Sequence, residues 1–141
     1  MNSLVADTNA VIWYLATSPR LSEAARSAMS AAEQRDASIF VASISLLEII
    51  RIHRETAAGR RRATNRQIPA DALASLIEQL SDPSSAFKIA PLDLPTARAA
   101  EGCFFDDPGD WIIAATALHL GLPLVTADET LRASKLIPTI W

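Results

Sequence analysis

Short apolar segments alternate with helical ones along this chain, and that alternation limits the possible folds more than any other feature. Residues 4–6, 39–42, 87–90 and 124–126 are mostly apolar stretches of strand length, and 139–140 is a candidate edge strand. Between them the pattern predicts helices over 10–16, 22–33, 44–58, 70–80, 95–101, 108–120 and 129–134. The punctuation agrees: Thr8 or Asn9 can cap the first helix, Asp93 the fifth, and Asp107 with Pro108 the sixth. Gly59 stands just past the end of the third helix and Gly121 just past the end of the sixth. Short apolar strands separated by helices imply a parallel sheet covered on both faces. The expected fold is therefore α/β, a three-layer α/β/α sandwich with a mainly parallel sheet. With 141 residues, half of them hydrophobic, residues 1–141 are expected to form a single domain.

Several function classes are disfavoured at once. No apolar run approaches the roughly 18 residues that cross a bilayer. The first apolar run has no basic leader and is cut by Asp7, so it does not read as a signal peptide. Cys103, the one cysteine, cannot form an internal disulfide, which fits a reduced cytoplasm; it reads as a small buried apolar residue. The net charge of −3 conceals a local excess of the opposite sign. Arg51, Arg54, Arg60, Arg61, Arg62 and Arg66 face only Glu55 within one short segment. A basic strip in an acidic chain suggests a specific anionic contact, such as an RNA backbone or an acidic protein segment; a solvated helix end explains it equally well.

In parallel sheets, ligands bind beyond the carboxyl ends of the strands. Asp7 follows the first strand and Asp128 follows "PLVTAD". Each alone is what a turn or helix cap requires. Glu48 lies one turn into "SISLLEIIRIHRETAAG", where Ile44, Leu47 and Ile50 supply a buried surface and Ser45, Glu48, Arg51 and Glu55 a polar stripe. An ion pair along that stripe would explain Glu48 without any chemistry. Asp110, in "DDPGDWIIAATALHLG", sits at the third position of a helix capped by Asp107, where negative charge suits the helix dipole. That helix is apolar on every side and should be central. The convergence of the four acids is harder to explain as capping. Carboxylates about 5 Å apart repel by roughly 3 kcal/mol per pair at an effective dielectric near 20. A clustered set holds protons or binds a cation, and hard oxygen donors favour Mg²⁺ or Mn²⁺ over zinc.

These residues resemble the PIN-domain ribonucleases, most closely the VapC-type toxins of bacterial toxin–antitoxin pairs. "VADTNAVIWYL", "SLLEI", "DPGDWIIAATA" and "GLPLVTADE" are similar to the family's four acidic motifs, in order and at family-like spacing over nearly the whole chain. The resemblance implies a Mg²⁺- or Mn²⁺-dependent endoribonuclease with Asp7, Glu48, Asp110 and Asp128 as catalytic metal ligands. It also implies a homodimer and a cognate VapB-like antitoxin that blocks the site. Thr8, Asn9 and Thr126 match polar positions around that site; Thr8 and Asn9 are expected to orient Asp7 and metal-bound water, a role compatible with helix capping. The chain departs from the pattern at Trp111, where many relatives carry arginine. Trp111 could stack on an RNA base or pack into the core, and its apolar surroundings favour packing.

The remaining polar residues suggest little else. Asp106 and Asp107 read as loop and cap, His53 as a surface residue and His119 as a packing residue. A phosphoacceptor receiver would want paired acids after the first strand and an aspartate after a middle one, and a haloacid-type phosphatase two aspartates flanking one residue. "DTN" supplies one acid. A non-catalytic PIN-like binding module is the other alternative, and four intact acids count against it.

Overall fold

The computed structural model describes residues 2–59 and 70–141. Arg60, Arg61, Arg62 and Arg66 of the basic strip lie outside the described residues. The strands are β1 (Leu4–Ala6), β2 (Ile39–Ala42), β3 (Phe87–Ala90), β4 (Leu124–Val125) and β5 (Thr139–Ile140). The helices are α1 (Thr8–Leu15), α2 (Glu23–Gln34), α3 (Ser43–Ala57), α4 (Ala70–Ser81), α5 (Leu94–Ala100), α6 (Pro108–Leu120) and α7 (Glu129–Ser134). All five strands are parallel, in the order β3-β2-β1-β4-β5. The chain winds outward from β1 through β2 to β3, then returns to add β4 on the other side of β1. That reversal makes the carboxyl ends of β1 and β4 the switch point, where α/β proteins open a crevice.

Alternation along β1 divides the core. Leu4 and Ala6 face one layer, where they pack with Val11 and Ile12 of α1, Met29 of α2, Ile49 and Ile52 of α3 and Leu76 of α4. Val5 faces the other, with Ile113, Ala114 and Ala117 of α6 and Leu131 of α7. Both faces of the sheet are thus covered, as the unbroken apolar strands require. Helix α6 is central: Ile113 to Ala117 are all buried. Asp107 caps it, Pro108 opens it, and Gly121 ends it at φ 65°, in the left-handed region where glycine carries no Cβ penalty.

Three local readings change. The cap of α1 is Asp7 itself, whose Oδ1 accepts from the Ala10 N–H at 2.8 Å; Thr8 is already helical. Helix α3 is rotated from the expected orientation. Ser45, Ile49 and Ile52 form its buried face, while Leu47 is 62% exposed. The helix starts directly at the end of β2 and packs against α1, α4 and α6, and these contacts turn Ser45 inward. The histidines differ from the expected roles as well. His53 follows buried Ile52 and is half-buried, whereas His119 on the last turn of α6 is exposed.

Candidate active site

Asp7 sits at the switch point. Its backbone N–H donates to the Val125 carbonyl at 3.1 Å, so the end of β1 is stitched to the end of β4. Only 8% of the residue is exposed. Burial pushes its carboxyl up from 3.8 to about 6; bonds from the Thr126 hydroxyl and the Ala10 N–H oppose the rise, and the charges of Asp128 and Glu48 add to it.

Thr126 ties two of the acids together. The fully buried hydroxyl donates to Asp7 and accepts from the Asp128 N–H at 3.0 Å. Asp128 caps α7, taking the Leu131 N–H on Oδ1 at 2.9 Å. Each of these two acids therefore uses one oxygen to start a helix. Capping and ligation are compatible, since a carboxylate carries several acceptor sites.

Glu48 reaches the same crevice from α3. Thr8 Oγ1 lies 3.0 Å from Glu48 Oε1 and 2.9 Å from Ser45 Oγ. The expectation that Thr8 orients Asp7 is therefore revised: its hydroxyl serves Glu48, and Thr126 serves Asp7. Asp110 enters on the first turn of α6, its N–H held by the Asp107 cap at 3.0 Å. Burial raises its carboxyl to about 6, with further repulsion from Asp128, Asp107, Asp7 and Glu48.

Asp7, Glu48, Asp107, Asp110 and Asp128, with Thr8 and Asn9, line one cavity of about 360 Å³. The four sequence-predicted acids are brought together. Asp107 joins them as a fifth acid that the sequence reading leaves as a cap; the doubled acid of "DDPGD" was its only signal. No lysine, arginine or histidine among the described residues lines the cavity. Five acids without a cationic side chain are an oxygen-donor set short of positive charge, which fits a hard divalent cation. Among the described residues no group of three or more acids, histidines or cysteines is drawn together tightly enough to hold a bare ion.

The other candidate residues lie apart from this cavity. Arg51 and Arg54 are exposed on α3, where Arg51 bonds Glu55 at 3.1 Å, and both border a shallow pocket with Leu47 and Ile50. Trp111 is half-buried; its indole N–H donates to the carbonyls of Ala100 and Cys103 at 3.0 and 2.9 Å, and its ring meets Phe104 edge-on. These contacts fasten the α5–α6 connection. Trp111→Phe should therefore cost about 1–2 kcal/mol of stability through the lost N–H donor. RNA affinity should be unchanged in the same variant. Unaltered thermal unfolding with weakened RNA binding would instead assign Trp111 to a base.

The fold and the acid-lined switch point define a class, and comparison with known proteins agrees with it. Residues 4–135 match the PIN domain family, and the chain belongs to that family. Within it, the chain is 30% identical over 135 residues to Ribonuclease VapC22 of Mycobacterium tuberculosis, a match covering 96% of this chain and 94% of that protein. The fold is shared with VapBC2 from Rickettsia felis, crystallised with a DNA fragment from its promoter (TM-score 0.61, 13% identity, 97% of this chain and 96% of that one). It is shared as well with FitAcB from Neisseria gonorrhoeae (TM-score 0.58, 20% identity, 96% and 95%).

Proposed function

We propose that this chain is a VapC-type endoribonuclease that hydrolyses RNA phosphodiester bonds with Mg²⁺ or Mn²⁺. It would be the toxin of a toxin–antitoxin pair, held inactive by a VapB-like antitoxin. The observation that carries the reading is the cavity at the β1/β4 switch point, lined by Asp7, Glu48, Asp110 and Asp128. Asp7, Glu48, Asp110 and Asp128 are the residues that would hold the ion or ions. A divalent cation bound there supplies positive charge at the attacked phosphate and makes water more acidic. The chain's own part is positioning. Backbone bonds and the Thr126 hydroxyl fix Asp7, Thr8 holds Glu48, and the helix caps fix the backbones that carry Asp110 and Asp128. Among the described residues, those lining the cavity include no serine–histidine or cysteine–histidine pair, so no covalent enzyme intermediate is proposed.

The arginine-rich sequence from Arg51 to Arg66 is the candidate contact for the RNA backbone in this proposal. No helix among the described residues is long and apolar enough to cross a membrane. Action on RNA in the cytoplasm and assembly as a homodimer belong to the same proposal. VapC22 is named a ribonuclease, and VapBC2 is named as a complex, which supports both the activity and the protein partner.

The test is incubation of the purified protein with structured RNA. Cleavage is expected with Mg²⁺ or Mn²⁺ and should stop in excess chelator. Cleavage that continues in chelator overturns the metal mechanism, and binding without cleavage at any metal concentration favours the non-catalytic module.

A further inference from the structure

Glu48 is the one acid of the site carried on the flank of a long helix, and something must aim it. We propose that Ser45 is a positioning residue for Glu48, acting through Thr8; this rests on the metal-site reading above. Thr8 has one hydroxyl proton and two neighbours, Glu48 Oε1 at 3.0 Å and Ser45 Oγ at 2.9 Å. A carboxylate that ligates a cation only accepts, so under the metal-site reading the Thr8 proton belongs to Glu48. The Ser45 hydroxyl must then donate to Thr8. The result is a directed chain from Ser45 through Thr8 to Glu48. It spans two elements, α3 and α1, and is closed to water at its origin, since Ser45 is fully buried and Thr8 is buried beside it. Hydrogen bonds in such a chain polarise one another.

The same carboxylate oxygen is closely bounded by α6. A Cβ on Gly109 would stand 3.3 Å from Glu48 Oε1 and 3.0 Å from Asp107 Oδ1. Glycine there leaves the space that this oxygen occupies. Glu48 Oε1 is thus held by the Ser45–Thr8 chain and given room by the first turn of α6. The inward rotation of α3 now has a purpose: it brings Ser45 under Thr8.

A double-mutant cycle read by calorimetric Mn²⁺ titration tests the chain. Ser45→Ala should weaken Mn²⁺ binding about tenfold, the lower range for an outer-shell partner of a metal site. It should leave helicity intact, since alanine favours the helix. Thr8→Val should weaken binding at least as much, and Thr8→Ser, which keeps the hydroxyl, should restore it. In the Thr8→Val background, Ser45→Ala should have no further effect, because the link to Glu48 is already cut. Unchanged Mn²⁺ affinity in Ser45→Ala, or additive losses in the double variant, overturns the inference while leaving the metal site standing. If the unsubstituted protein binds no Mn²⁺, the metal-site reading fails and this inference falls with it.

Discussion

Asp7→Asn should leave a folded protein whose RNA cleavage falls about a thousandfold. One anionic ligand accounts for roughly 4 kcal/mol of the charge stabilisation that a bound cation contributes, at about 1.4 kcal/mol for each tenfold in rate. The fold should survive because asparagine retains the acceptor that caps α1, where Oδ1 takes the Ala10 N–H at 2.8 Å. The backbone tie from the Asp7 N–H to Val125 is untouched by the change. What disappears is a buried charge that the protein resists forming, since its carboxyl is raised to about 6. Metal-free Asp7→Asn should therefore unfold at the same temperature as the parent at neutral pH, or above it. Circular dichroism melts and cleavage rates on one preparation decide the matter. A variant that melts early makes Asp7 a structural carboxylate, and one that folds and cleaves removes it from the reaction.

The sequence carried what local physics determines. The strand at 39–42 was legible because apolar residues fill it without interruption, and that at 87–90 because only Lys88 breaks its apolar run. The α6 boundaries were legible because Asp107, Pro108 and Gly121 each do a job no neighbour could do. Asp7, Asp110 and Asp128 were legible because each follows a strand or opens a helix, and Glu48 because its helix starts directly after β2, so the topology carries all four to one edge. What was not legible depended on contacts distant in the chain. "SISLLEII" is apolar on nearly every side, so its own pattern could not decide between Leu47 and Ser45 as the buried position; α1, α4 and α6 decided it. Thr8 and Ser45 are 37 positions apart, and no spacing rule links them. Asp107 was read as a cap and is one, but its place in the cavity required the fold.

In the absence of metal, the protein should lose stability as pH rises from about 4 to 7, and Mg²⁺ should restore it only at the upper end. The sign follows from Asp7. Its carboxyl ionises near 3.8 in the unfolded chain and at about 6 in the folded one. Below 3.8 both states hold the proton and the burial carries no penalty. Between the two values the unfolded chain has released its proton while the folded chain keeps it, so each rise in pH favours unfolding. Above about 6 the loss is complete, and the difference corresponds to about 3 kcal/mol for this group. Asp110 shifts in the same direction and is half-exposed, so it adds a smaller, solvent-screened amount. The two repel each other and should titrate as a coupled pair. Asp82 and Asp93 are shifted down by hydrogen bonds, so their contribution is lost only in more acidic solution and does not mask this window. A cation binds the ionised acids, so Mg²⁺ competes with protons for the same site. At a concentration about a hundredfold above Kd, binding adds roughly 2.7 kcal/mol, or about 10 °C in Tm for a domain of this size. Melts at pH 8 should show that rise, and melts at pH 5 much less of it. In Asp7→Asn the Mg²⁺ response at pH 8 should shrink sharply. An equal Mg²⁺ effect at both pH values would mean that the ion is not bound by the acids at the switch point.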